Sequence, residues 1–242
     1  MSLAGRRILV TGAARGLGET LARHLAGVGA ELILADILEE EGRAIADGLG
    51  ASFHLLDLRD PDSITMLADK IGGPLHGLVN NGAIATGIGG IGFEDVEIDT
   101  FNRVMEVNVR GTWLMIKAMA PLLRQAEGGL IVNVASDTAL WGAPNLISYT
   151  ASKGAVISMT RSLARELGPD GVGVTAIAPG ILTTQSTDYV PRARHAHYEE
   201  GRAVPGPQPP EDIAGTVAFL LSEAALTLTG QVLPVNRGFV FT

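Results

Sequence analysis

The sequence predicts an α/β fold, a doubly wound parallel sheet of about seven strands with helices on both faces. Three observations predict it. Short runs rich in β-branched residues alternate with longer helical patterns along the whole chain. Most of those runs are continuously apolar instead of alternating, as expected of strands buried on both faces. A glycine-rich turn joins the first run to the first helical pattern.

Taken in order, RILVT at 7–11 is the first strand, and VTGAARGLG at 10–18 carries the chain into a helix over 17–28. ELILAD at 31–36 is the second strand and precedes a helix over 38–49. SFHLLD at 52–57 is followed by a helix over 60–71, and HGLVNN at 76–81 by a long helical stretch over 100–124. LIVNVAS at 130–136 leads to a helix over 149–167, and GVTAIAP at 173–179 to one over 211–222. GQVLPV at 230–235 closes the series. No repeat or linker interrupts it, so residues 1–242 read as a single domain. Only 183–210 is irregular: it holds five prolines, ends in PGPQPP and reads as a flap or loop.

The bulk numbers exclude several function classes. With 46% hydrophobic residues, 31 glycines and no low-complexity tract, the composition is that of a soluble globular protein. A net charge of −8 with scattered basic residues argues against a nucleic-acid partner. The absence of cysteine rules out disulfides and thiolate metal sites. The N-terminal segment runs straight into the first strand, leaving no room for a signal peptide. No apolar run approaches the ~20 residues of a membrane span. A cytoplasmic location is the expectation. His195 and His197 form the only close histidine pair, and in a loop they read as solvated, so no metal is expected.

Two stretches carry candidate chemistry. In the turn at 10–18, Gly12, Gly16 and Gly18 let the backbone bend tightly and approach a pyrophosphate at the positive end of the next helix. The spacing differs from G-x-G-x-x-G, and a tight turn with no ligand is the bland alternative. Asp36 ends the second strand, near the offset at which an acid reaches the ribose hydroxyls of NAD; alternatively it caps the following helix. In YTASK at 149–153, Tyr149 and Lys153 are one helical turn apart. An ammonium beside a phenol favours the phenolate and makes it a usable general base.

Thr11-Gly12-x-x-x-Gly16-x-Gly18, Asn80-Asn81, Asn108, Ser136 and Tyr149-x-x-x-Lys153 together resemble the short-chain dehydrogenase/reductase family, and the resemblance covers nearly the entire chain. It implies one Rossmann-type domain that binds NAD(H) or NADP(H) and moves a hydride between nicotinamide and a hydroxyl or carbonyl carbon. Tyr149 would be the acid/base and Lys153 would lower its pKa and bind the nicotinamide ribose. Ser136 would hold the substrate oxygen, and Asn108 would anchor a water in a proton relay. Arg15 and Leu17 would join the three glycines and Asp36 around the cofactor. Asp57 and Leu58 would flank the adenine, and Asn81 and Gly82 the adenosine ribose. Pro179, Gly180, Leu182 and Thr184 would follow on the carboxamide and phosphate side. The family's usual Asn-Asn-Ala-Gly appears as Asn80-Asn81-Gly82-Ala83, and its Val-Asp-Gly-Gly as Val235-Asn236-Arg237-Gly238.

The resemblance favours an NAD-dependent enzyme acting on a small secondary alcohol or ketone, with Trp141 lining the substrate pocket beside Ser136 and Tyr149. Asp36 would repel a 2′-phosphate, whereas Arg15 would suit one. The competing readings are an NADP-dependent reductase of 3-oxoacyl thioesters and a catalytically silent nucleotide-binding scaffold. For the former, Arg192, Arg194 and Arg202 are the candidate basic patch. A homotetramer is expected, built on the apolar and small residues of the helices at 100–124 and 149–167. The flap at 183–210, with Tyr189, His195, His197 and Tyr198, is expected to act as a substrate lid.

Overall fold

The computed structural model describes residues 2–242. Seven strands form one sheet, all pairs parallel, in the order β3-β2-β1-β4-β5-β6-β7. In chain order the elements are β1 (Arg7–Thr11), α1 (Gly16–Gly27), β2 (Glu31–Asp36), α2 (Glu39–Leu49), β3 (Ser52–Leu55), α3 (Pro61–Ile71) and β4 (Gly77–Asn80). Then come α4 (Ile98–Met105), a π-helical turn (Glu106–Gly111), α5 (Thr112–Gln125), β5 (Leu130–Val134), α6 (Thr138–Trp141) and α7 (Ile147–Leu167). The chain closes with β6 (Gly173–Pro179), α8 (Arg192–Gly201), α9 (Glu211–Leu220) and β7 (Val232–Val235).

The alternation of side chains along each strand divides the core into two layers. Ile8, Val10, Leu130 and Val132 face α1 and α9, where Leu21, Leu25, Ile213 and Val217 cover them. Leu9 and Ile131 face the other way, onto Ile64 and Leu67 of α3, Met115 and Met119 of α5 and Leu167 of α7. Both faces are covered, which is why the strands read as unbroken apolar runs. The strand order reverses between β1 and β4, and the crevice beyond their C-terminal ends is where such sheets bind ligands.

Three local features differ from the sequence reading. The third strand stops at Leu55, and the last begins at Val232. The helix expected over 100–124 is interrupted by a π-turn at 106–111. There Asn108 turns inward: its Oδ1 accepts from Ile84 N at 2.8 Å, and its Nδ2 donates to Ile84 O at 3.0 Å and Ser152 Oγ at 3.1 Å. Gly111 passes so close to Leu58 that a Cβ would lie 2.8 Å from its carbonyl oxygen. An extra residue in the turn satisfies both demands, as π-bulges at functional sites commonly do. Finally, the irregular 183–210 contains α8, which buries only Tyr198; a helix with one buried anchor leaves no period to read.

Candidate active site

The site begins where β1 ends. Gly12 and Gly16 adopt positive φ, +65° and +57°, which other residues rarely reach. A Cβ on Gly18 would collide with the Gly12 carbonyl oxygen, and one on Gly12 would lie 2.6 Å from Gly82 Cα. Asn81 closes this turn, its Nδ2 donating to Gly12 O at 2.9 Å and Thr11 O at 3.1 Å. Thr11 Oγ1 accepts from the N–H groups of both Asn81 and Gly82 at 3.1 Å. The Asn80-Asn81-Gly82-Ala83 departure is therefore compatible with a well-braced turn. Helix α1 starts at Gly16 behind Arg15, with no side chain capping it. Its first N–H groups suit an anion, and so the cradle fits a dinucleotide pyrophosphate.

Asp36 is not the N-cap of α2, which begins at Glu39. Its Oδ2 accepts from Ala14 N at 2.9 Å and its Oδ1 from Leu38 N at 3.0 Å, bracing the glycine turn. A carboxylate has about four acceptor sites, so lone pairs remain for ribose hydroxyls. Asp57 is paired with Arg59 at 2.7 Å, and this hydrogen bond holds its carboxyl below the usual range. Leu58 is wedged between Gly82 and Gly111. On the opposite side, Pro179 ends β6, Gly180 follows, and Leu182 is buried. Thr184 opens a short turn with Thr187, whose Oγ1 accepts from Thr184 N at 3.2 Å. A Cβ on Gly16 would stand 4.0 Å from Thr184 Cβ and 3.6 Å from Ser186 Oγ, so the start of the flap lies over the glycine turn. Leu17 packs against the core beneath it.

The reactive groups come from β5 and α7. Ser136 lies just past β5 and is buried; its Oγ accepts from Thr138 Oγ1 at 2.9 Å, and its hydroxyl is close enough to the Tyr149 phenol to pull its pKa down. Tyr149 and Lys153 share one face of α7, with the Lys153 ammonium 5.6 Å from the Tyr149 ring centroid. Lys153 donates to Val134 O at 2.6 Å, which ties the helix to the strand below. Ser152 accepts from Asn108 and donates to Tyr149 O at 2.8 Å, so the π-turn braces helix α7.

The charges depart from the sequence expectation. Burial pushes the Tyr149 phenol up to about 12, with Ser136 pulling it down and Asp137 adding to the rise. Burial also lowers the Lys153 ammonium to about 8. Lys153 is aimed at a carbonyl and not at the phenol oxygen, so in the protein alone it does not produce the depressed phenol that one-turn spacing suggested. Desolvation wins. Trp141 ends α6, where its Nε1 donates to Tyr198 OH at 3.1 Å and its ring lies 5.8 Å from Phe239.

Sequence reasoning missed Thr138, Ser152 and Asp137, each within two positions of a predicted residue. Ser152 lies inside YTASK, and its i−3 spacing to Tyr149 was the available signal. Nothing local marks Asp137.

Comparison with known proteins finds related chains across nearly the whole length. Residues 12–240 match the family model described as enoyl-(acyl carrier protein) reductase. The chain is 37% identical over 243 residues to 3-alpha-(or 20-beta)-hydroxysteroid dehydrogenase of Mycobacterium bovis, covering 98% of this chain and 90% of that one. The crystal structure of 3-ketoacyl-(acyl-carrier-protein) reductase from Brucella melitensis complexed with NADH superposes with a TM-score of 0.90 at 32% identity, covering 99% and 100% of the two chains. A putative NAD(P)-dependent gluconate 5-dehydrogenase from Beutenbergia cavernae, with bound NADP, gives 0.88 at 33% identity, covering 98% of each.

Proposed function

The chain belongs to the short-chain dehydrogenase/reductase family and is an NAD(P)-dependent oxidoreductase, and from that premise we propose that it interconverts a small secondary alcohol and its ketone with NAD. The observation that carries this reading is the Tyr149 phenol beside the Ser136 hydroxyl, which pulls its pKa down, with Lys153 on the same helix face 5.6 Å from the ring. A carbinol or carbonyl oxygen placed between those two hydroxyls accepts one hydrogen bond from each. When bound, the nicotinamide supplies or receives the hydride. Tyr149 removes the hydroxyl proton in oxidation and returns it in reduction. Ser136, oriented by Thr138, holds the oxygen in line. Lys153 contributes positive charge beneath the phenol and anchors the helix to Val134. The Asn108 side chain is committed to Ile84 and Ser152, which makes it a brace for α7 before any water is considered. Around the nucleotide, Gly12 to Gly18 with Arg15 and Leu17 form the phosphate cradle, and Asp36 meets the ribose. Asp57, Leu58, Asn81 and Gly82 flank the adenosine, and Pro179, Gly180, Leu182 and Thr184 the other half.

NAD is favoured because the Asp36 carboxylate would face a 2′-phosphate of like charge, while Arg15 is exposed and free to swing. The thioester-reductase reading is weakened by two of the flap arginines. Arg202 is buried, bound to Ile181 O and Gly206 O, and Arg194 donates to Pro144 O and lies over Trp141. Neither is free to receive an acidic carrier. A silent scaffold has no need of both Tyr149 and Lys153. The chain acts as one domain with a substrate flap at 183–210, in the cytoplasm, without a nucleic-acid or membrane partner. Among the described residues no helix is long and apolar enough to cross a membrane. A homotetramer fits the outer surface of α4, α5 and α7. There Ile98 is 76% exposed and Trp113 45%, beside a groove of about 510 Å³ lined by Met105, Val109 and Met159. This groove lies on the outer helix surface, away from the Ser136–Tyr149 pair.

A panel of cyclic, aryl and aliphatic secondary alcohols, assayed with NAD by absorbance of the reduced nicotinamide, tests the reading. Turnover that disappears in Tyr149→Phe supports it. Activity only on 3-oxoacyl thioesters with NADPH would replace it with the competing one.

A further inference from the structure

Directly after Ser136 the chain places a carboxylate that the proposed chemistry does not use. Asp137 is fully buried, on the turn that becomes α6. Its N–H donates to Pro179 O at 3.0 Å, and its carbonyl accepts from the N–H groups of Leu140 and Trp141. Its Oδ1 accepts from Tyr198 OH of α8 at 2.9 Å, and its Oδ2 from Asn236 Nδ2 at 3.2 Å. The Tyr198 hydroxyl accepts in turn from Trp141 Nε1, so one phenol joins the carboxylate to the indole. The Tyr198 ring stacks on Phe239 with centroids 4.2 Å apart. Gly180 is pressed against the same group: a Cβ there would lie 3.0 Å from Asp137 Oδ2 and 3.3 Å from Tyr198 Cε1.

Burying a carboxylate is unfavourable unless it is well bonded. Apolar packing of Trp141, Tyr198 and Phe239 would hold α8 on the body without any charge. What packing leaves adjustable is the angle of the indole and the seating of the helix; directional hydrogen bonds set both. We propose that Asp137 is a positioning residue whose carboxylate acts through the Tyr198 hydroxyl to fix the Trp141 wall and seat the flap helix against Pro179–Gly180. The bearing of this latch on turnover rests on the dehydrogenase reading above; the latch itself does not.

Burial pushes the Asp137 carboxyl up to about 6, against the opposing pull of Tyr198, Asn236 and Arg202. Tyr198 and Arg202 face it from the flap, Asn236 from the final turn, Trp141 from its own turn and Tyr149 from α7. Arg237 lies beside Arg202, while His197 and Arg194 face Trp141. A protonated carboxyl becomes a donor beside a phenol oxygen already occupied by the indole. The Trp141–Tyr198–Asp137 chain then has to rearrange.

The sequence has two tryptophans, so ¹⁵N-labelled protein shows two indole N–H signals, which Trp113→Phe assigns. The Trp141 signal is expected to titrate between about pH 5 and 7, to keep doing so in His197→Gln and to stop in Asp137→Asn. In Tyr198→Phe, which removes both hydrogen bonds of the phenol, hydrogen exchange of α8 should accelerate about tenfold or more, while α3 and α5 stay as they were. With NAD and cyclohexanol as probe, Tyr198→Phe should raise KM by more than it lowers kcat. Should Tyr198→Phe not fold, Asp137→Asn carries the KM measurement, and the indole titration decides the latch. A Trp141 signal that is flat with pH, or that titrates equally in Asp137→Asn, overturns the proposal. So does α8 exchange that matches the wild type. If cyclohexanol and every other alcohol prove inert, the dehydrogenase reading fails, and the indole and exchange measurements still decide the latch.

Discussion

The two sides of the crevice are built on different principles. The nucleotide side is a matter of backbone: Gly12, Gly16 and Gly18 are there because side chains would not fit, and Asn81 and Asp36 brace the turn through main-chain groups. The flap side is a matter of side chains from distant segments: Asp137, Trp141, Tyr198, Asn236 and Phe239 meet through hydrogen bonds and ring contacts. The first resists any change of shape. The second tolerates changes of shape and depends on charge and on individual hydroxyls. Ser136 and Tyr149, the proposed reactive groups, belong to neither, with Asp137 next in chain to Ser136.

Gly18→Ala should break the nucleotide side most severely. Its Cβ would meet backbone, which cannot swing aside, so a loss of about 3 kcal/mol or more is expected. Thermal unfolding and NADH titration would read it; a stable variant with unaltered NADH affinity would mean that the turn is looser than described. Between the two sides, Tyr149→Phe should preserve the fold and NADH binding yet lower kcat about a hundredfold, or ~2.7 kcal/mol. Retained turnover in that variant would remove Tyr149 from the chemistry.

On the flap side the comparison can be sharpened with pH. Unfolded, Asp137 ionises near 3.8; folded, it does so near 6. As pH falls from 6 toward 4 the folded state takes up this proton first, so Asp137 adds stability on acidification. Above 6 the ionised, buried carboxylate lowers stability by up to about 3 kcal/mol for the two-unit rise. Asp137→Asn should therefore be more stable than wild type at pH 7–8, by about 1–2 kcal/mol once a lost hydrogen bond is subtracted. It should also show a flatter stability profile between about pH 4 and 6. Denaturant melts across that range check both, and a less stable variant at pH 8 would contradict the cause assigned to the shift. The smallest effect is expected at Asp36→Ala, where removal of the carboxylate should narrow the NAD preference by about tenfold in the ratio of kcat/KM values. An unchanged ratio would place nucleotide choice elsewhere.

This difference between the sides also governs what could be read in advance. Continuous apolar runs, the spacing of Gly12, Gly16 and Gly18, and Tyr149 one turn before Lys153 are patterns of neighbouring residues. Period, turn chemistry and helical spacing are local physics, so the sheet, the order of helices and the place of the reactive pair were legible. The π-turn at Asn108 was not, because it arises from Ile84, Ser152 and Leu58 acting on one helix from three other segments. Helix α8 was hidden for a similar reason: a single buried tyrosine, stacked on Phe239, holds it.

By itself, then, the sequence determined the parallel sheet, the glycine cradle and the presence of a phenol and an ammonium on one helix face, since each follows from spacing along the chain. Only the tertiary structure decided how those groups are charged. Burial moves Tyr149 up and Lys153 down, and the lysine is turned toward Val134 O. It alone decided that a carboxylate beside Ser136 would meet a flap tyrosine sixty-one residues away. Desolvation and long-range hydrogen bonds depend on what surrounds a group in space, and sequence spacing does not contain that distance.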